Sequence, residues 1–170
     1  GRFGAILADA ERPLVLIGGS TWDQESAMRI SDWAAAASIP VVSAFRRQDL
    51  VDNRKPCYAG HLGIGADAKL LQRVESADVL IVLGDRVAEA TSQGYATVQS
   101  PVPKQRLIHV HPDPCEIGRV YAPELGIVSG MKNFAQSLGR VRIAARPNWQ
   151  QWFSEARKDF EDIHCRTNPD

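Results

Sequence analysis

Val79-Leu80-Ile81-Val82-Leu83-Gly84-Asp85-Arg86 sets five unbroken apolar residues, three of them β-branched, against a glycine and two charges. An apolar run of that length predicts a strand covered on both faces, as at the centre of a parallel sheet. Working outward, Leu14–Ile17 closes on Gly18-Gly19, Val41–Ala44 opens a polar loop, and Leu107–Val110 closes on His111-Pro112-Asp113-Pro114. Amphipathic stretches separate these runs, and a shorter run, Ile127–Val128, follows. The alternation predicts a three-layer α/β/α fold around a mainly parallel, Rossmann-like sheet of five to six strands. In such sheets ligands sit outside the carboxyl ends of the strands. Function is therefore to be sought at 18–20, 84–86 and 111–113.

Helical punctuation supports that frame. A short helix is expected over Gly4–Ala10, with Pro13 starting the first strand. Thr21 and Gln24 have capping-box spacing, and Ala27, Ile30, Ala34 and Ala37 follow at helical period until Ile39-Pro40 ends the element. Gly60, Gly63 and Gly65 crowd a turn around His61. A helix is expected beyond it, with Ile64, Ala68, Leu71 and Val74 on one face. Ala88–Lys104 reads as a loop with one short helix. Asp113-Pro114-Cys115-Glu116 reads as a helix start, with N-cap, first-turn proline and third-position acid. Met131–Leu138 and a charged Trp149–His164 complete the helices.

Composition narrows the function classes. The chain has 170 residues, enough for one domain with a layered core. Twenty basic and twenty acidic residues cancel, so no net field favours nucleic acid or an anionic membrane. No apolar run has membrane-spanning length. Cys57, Cys115 and Cys165 show no CxxC spacing, which predicts free thiols in a reducing, cytoplasmic setting. The Gly-Arg-Phe-Gly opening and the polar Arg166–Asp170 end suggest a domain cut from a longer polypeptide.

Five pieces in order carry a resemblance: Arg12-Pro-Leu-Val-Leu-Ile-Gly-Gly; Ile39-Pro-Val-Val; Tyr58-Ala-Gly-His-Leu-Gly; Ala77-Asp-Val-Leu-Ile-Val-Leu-Gly-Asp-Arg; and Leu107-Ile-His-Val-His-Pro-Asp-Pro-Cys-Glu-Ile-Gly-Arg. Together they resemble the central domain of thiamine-diphosphate-dependent enzymes of the acetolactate synthase, oxalyl-CoA decarboxylase and benzoylformate decarboxylase type. The resemblance implies that residues 1–146 form that central domain. Residues 147–170 would then be a C-terminal helix and linker toward a diphosphate-binding domain. Flanking pyrimidine- and diphosphate-binding domains would hold thiamine diphosphate and Mg2+ in the parent enzyme, a homo-oligomer. The activating glutamate and Gly-Asp-Gly…Asn metal motif of those domains are not in this sequence, so the piece is expected to be non-catalytic. In family members the central domain binds FAD, binds ADP or coenzyme A, or serves only as scaffold. A stand-alone NAD- or FAD-binding domain of the sirtuin or electron-transfer-flavoprotein kind is the alternative.

The candidate cofactor-binding residues are Gly18, Gly19, Ser20, His61, Gly84, Arg86, His111 and Asp113. Gly18-Gly19-Ser20 permits close approach of a phosphate or adenosine, or simply makes a tight strand-to-helix turn. By the resemblance, Arg86 faces a nucleotide, where a guanidinium can grip a diphosphate bidentately. Its alternative is a salt bridge to Asp85 or Glu89. His61 either stacks on a ligand or, the favoured reading, fills a turn. Flavin-binding relatives usually carry aspartate where this chain has His111, which weighs against FAD. His109, His111, Asp113 and Cys115 invite a zinc reading. His109 lies inside its strand and two prolines distort the ladder, so packing and capping are the better account. Trp149, Trp152 and Phe153 have the spacing of a helix laid on the core or on a neighbouring domain.

Overall fold

The computed structural model describes residues 1–141, 143 and 146–167, the last four of these and Pro147 by backbone only. Six strands form one parallel sheet: β1 (Pro13–Ile17), β2 (Val41–Ser43), β3 (Tyr58–His61), β4 (Val79–Leu83), β5 (Arg106–His111) and β6 (Leu125–Val128). Their order is β3-β2-β1-β4-β5-β6, so the chain winds outward from β1, returns to β4 beside it, and winds out the other way. β1 and β4 are in register from Pro13↔Val79 to Ile17↔Leu83. The direction of winding reverses between them, which opens a crevice at their carboxyl ends.

Strand period 2 divides the core between the faces. Val15, Ile17, Ile81 and Leu83 join one cluster; Leu14, Leu16, Leu80 and Val82 join the other. Helices α1 (Arg2–Ala8), α2 (Gln24–Ala37) and α4 (Met131–Leu138) cover the first face through Ile6, Ile30 and Phe134. Helix α3 (Ala68–Ser76) covers the second with Leu70 and Val74. The final helix, α5 (Pro147–Thr167), reaches both clusters, burying Trp149 and Phe160 in the first and Trp152 and Ala156 in the second. No described helix is long and apolar enough to cross a membrane.

Several local expectations are corrected. The capping box of α2 is Asp23 with Ser26, not Thr21 with Gln24: the Ser26 amide donates to Asp23 Oδ1 at 2.7 Å, and the Asp23 amide to Ser26 Oγ at 3.2 Å. The segment Tyr58–His61 is an edge strand, not part of a turn. Ile64 lies before α3 and is 82% exposed, and Leu70 takes the buried position instead. Among the described residues no helix forms within Ala88–Lys104. Positive φ at Gln93, Gly94 and Tyr95 stops the turn begun at Ala88 from propagating. The Asp113–Glu116 helix start likewise gives only turns, ended by Gly118 at φ 81°. Asp113 caps locally instead, accepting from the Cys115 amide at 2.9 Å.

Candidate functional site

The crevice floor is made by two glycine turns pressed together. At the end of β1 the Gly18 amide donates to the Leu83 carbonyl at 3.1 Å, and at the end of β4 the Gly84 amide donates to Val110 at 2.9 Å. Gly19 has φ 76°, and a Cβ there would lie 1.8 Å from the Gly84 carbonyl oxygen. Only glycine permits that contact. The Trp22 indole donates to the Gly18 carbonyl at 2.6 Å and fixes the turn from the α2 side.

Above this floor lies a crevice of about 520 Å3. It gathers Gly19, Ser20, Gly84, Arg86, His111 and Asp113, six sequence candidates from the ends of three strands. Gly18 lies beneath it, buried. His61 is not among the lining residues: it is exposed at the end of β3, an outer strand of the sheet. Phe45, Arg47, Thr91 and Glu116 line the crevice too and were not singled out by sequence. Arg47 follows β2 closely, and its place beyond a strand end was the one available signal. A neighbouring groove of about 580 Å3, between α2 and residues 47–55, shares Arg47 but lies away from the reversal point.

Asp85 is the acidic centre of the floor. Its carboxylate accepts from the Val87 amide at 2.6 Å and also from the Gly19 amide. Burial raises its pKa above the usual carboxylate value, against those two bonds. The Asp85 carbonyl oxygen meets His109 Nε2 at 2.9 Å. His109 is 3% exposed, and burial lowers its pKa in spite of that bond. It is a packed core histidine, as its place within the strand suggested.

Arg86 is exposed and pairs with Glu116 at 3.7 Å, rather than with Asp85 or Glu89. Glu116 also holds Arg119 at 2.9 Å. Arg47 is tied to Asp49 through two hydrogen bonds of 2.9 and 3.1 Å. His111 Nδ1 lies 3.1 Å from the Asp113 amide and 3.3 Å from the Asp113 carbonyl, so its ring is held against the turn after β5. Among the described residues no group of three or more His, Cys, Asp or Glu is arranged to hold a metal ion. Cys57 is buried, its thiol raised to about 11 by burial, and Cys115 is exposed; the Cys165 side chain lies outside the described residues. The arrangement offers hydrogen-bond donors and acceptors around a polar slot.

Residues 2–138 match the family model described as "Thiamine pyrophosphate enzyme, central domain". Glyoxylate carboligase of Escherichia coli O157:H7 is 26% identical over 157 residues, covering 85% of this chain and 25% of the relative. Acetolactate synthase isozyme 1 large subunit of Escherichia coli K12 is 24% identical over 157 residues, covering 92% and 27%. A probable acetolactate synthase large subunit of Methanocaldococcus jannaschii is 25% identical over 167 residues, covering 92% and 28%. The chain thus spans about a quarter of the length of these curated relatives. With the family model covering most of its length, the chain belongs to the thiamine pyrophosphate enzyme central-domain family.

Proposed function

We propose that this chain is the non-catalytic central domain of a thiamine-diphosphate-dependent decarboxylase or carboligase, and that its crevice holds the adenine nucleotide portion of FAD, ADP or coenzyme A. One observation carries the ligand reading: residues from three separate strand ends, Gly19, Gly84, Arg86 and His111 among them, converge on one slot at the reversal point of the sheet. The polar lining and the two guanidinium groups fit a nucleotide better than an apolar ligand. The parent's chemistry is inferred from relatives named as a carboligase and acetolactate synthases.

Thiamine diphosphate supplies the reacting thiazolium carbon in such enzymes. The donor set described here offers no seat for its metal ion, so the flanking pyrimidine- and diphosphate-binding domains would hold both. On this reading residues 1–146 separate and orient those domains, and 147–170 lead toward the second of them within a homo-oligomeric parent. Substrate choice then rests with the flanking domains.

Thermal-shift titration with FAD, NAD, ADP and coenzyme A tests the ligand role. A ligand that binds only the folded chain raises its melting temperature by mass action. A saturable rise with an adenine nucleotide, lost in Arg86→Ala, is the expected result. Flat curves for all four would remove the nucleotide role and leave the scaffold.

A further inference from the structure

A strand–turn–helix that holds phosphate does so with free backbone N–H groups in its glycine turn and with the positive end of the following helix. In this chain the Gly19 amide and the helix start are already engaged. The Gly19 amide is bonded to the Asp85 carboxylate, which also takes the Val87 amide at 2.6 Å. Gly18 makes room for this internal acid: a Cβ there would lie 2.3 Å from Asp85 Oδ2. Helix α2 begins only at Gln24, and its cap is Asp23, whose carboxylate accepts from the Ser26 amide at 2.7 Å. Hydrogen bonds from the Ser26 hydroxyl and amide hold Asp23 below its usual pKa, so it stays ionised at neutral pH. Asp23 and Gln24 border the neighbouring groove, while the crevice lining ends at Thr21.

Charge within the crevice points the same way. Its lining carries two guanidinium groups, Arg47 and Arg86, against three carboxylates, Asp85, Asp113 and Glu116. Asp85 has no cationic partner within ion-pair distance among the described residues, so its negative charge faces the slot unneutralised except by amides.

We infer that Asp85 occupies, from within the chain, the anion position of the glycine turn, so that a ligand in the crevice lays a phosphate-free, hydroxyl- or amine-bearing part against Gly18–Ser20 and directs its phosphates toward Arg47 and Arg86. This deepens the nucleotide reading and rests on it for the identity of the ligand. Ribose hydroxyls and an exocyclic amine are donors, and donors are what a buried carboxylate can receive. A phosphate in the same place would meet like charge in a poorly screened site.

Pyrophosphate, titrated into the 15N-labelled chain at pH 8, is the probe. In the wild type the Gly19 and Val87 amide signals should stay fixed with pyrophosphate, whereas ADP, whose ribose or base lies against Gly18–Ser20, should move the Gly19 signal. Asp85→Asn turns one acceptor into a donor beside the released Gly19 amide, and its pyrophosphate affinity should rise by about tenfold or more, with the Gly19 signal moving. Asp85→Ser carries the same expectation should the asparagine variant fail to fold. A Gly19 shift with pyrophosphate in the wild type overturns the inference, as does a folded Asp85 variant with unchanged pyrophosphate affinity. A wild type that responds to neither ADP nor any other adenine nucleotide refutes the nucleotide reading instead, and the pyrophosphate arms still judge Asp85.

Discussion

The two ends of the sheet are built by opposite means. At the amino ends of the strands the chain is sealed with bulk: the Trp149 indole donates to the Ala10 carbonyl and the Trp152 indole to Pro13, both at 2.9 Å. The Asp78 carboxylate takes the Glu11 and Arg12 amides at 2.6 and 2.8 Å, and Arg106 grips Glu124 twice at 2.8 Å. At the carboxyl ends the chain is kept open by missing side chains, with Gly19 and Gly84 both at φ 76° and a carboxylate held under the turn. One end is sensitive to taking atoms away, the other to adding them. That difference separates the part of the fold that is held by packed bulk from the part that is held open by its absence.

Removing bulk from the sealed end should have the largest effect. Trp149→Ala deletes a side chain with no exposed surface and a hydrogen bond across 139 residues of sequence. A loss of about 3–5 kcal/mol is expected, read from urea denaturation, because a cavity is left where the indole stood. A loss below 1 kcal/mol would show that α5 is not a working part of this core.

Adding one carbon at the open end should come next. Gly19→Ala places a methyl 1.8 Å from the Gly84 carbonyl oxygen in a left-handed backbone. Strain of roughly 1–2 kcal/mol for the backbone, with overpacking of about 1–3 kcal/mol, gives a loss of about 2–5 kcal/mol. Gly65→Ala is the control: φ is 75° there, but nothing lies within 4 Å of its Cβ, so the loss should be only the backbone share. Equal melting temperatures for the two variants would break the comparison.

Acid should act on the two regions with opposite sign. Asp159 on α5 bonds Arg73 at 2.6 Å and Lys69 at 3.1 Å on α3, and these bonds outweigh burial to lower its pKa below 3.8. Its stabilising contribution, about 1 kcal/mol for a pair near the surface, is present above pH 3.8 and is lost as pH falls through the lowered value. Asp85 is raised, so the folded chain takes up a proton before the unfolded one does, and its contribution to stability rises as pH falls toward 3.8. Melting curves between pH 3 and 7 should show the Asp159→Asn deficit fading in acid. Over the same fall the wild type should gain on Asp85→Asn.

How far these regions were legible follows from the same physics. β1, β4 and β5 are buried on both faces, so their apolar runs announce them. β3 reads Tyr-Ala-Gly-His, and only pairing with β2 and the contact of Tyr58 with Phe160, centroids 5.1 Å apart, makes it a strand. Gly19, Gly84, Arg86 and His111 were found because strand ends locate them without any knowledge of side-chain direction. The role of Asp85 was hidden: its burial depends on Gly18 lacking a Cβ on another strand, a through-space fact that no spacing encodes. Arg86 lines the crevice, and its partner Glu116 comes from the turn after β5 and not from its own loop.

The smallest effect sharpens the comparison most. Arg86 is 62% exposed and 3.7 Å from Glu116, whereas Glu116 is 12% exposed and has a shorter bond to Arg119 at 2.9 Å. Arg86→Ala therefore leaves the buried carboxylate paired, and its unfolding free energy should stay within about 0.5 kcal/mol of the wild type. Arg119→Ala removes the shorter bond and leaves Glu116 to the longer one, so it should cost slightly more, up to about 1 kcal/mol. Chemical denaturation of both variants reads the order directly. A larger loss in Arg86→Ala than in Arg119→Ala would mean that Arg86 belongs to the stabilising frame rather than to the open end. The expected order leaves its guanidinium free to turn toward a phosphate at almost no cost to the fold.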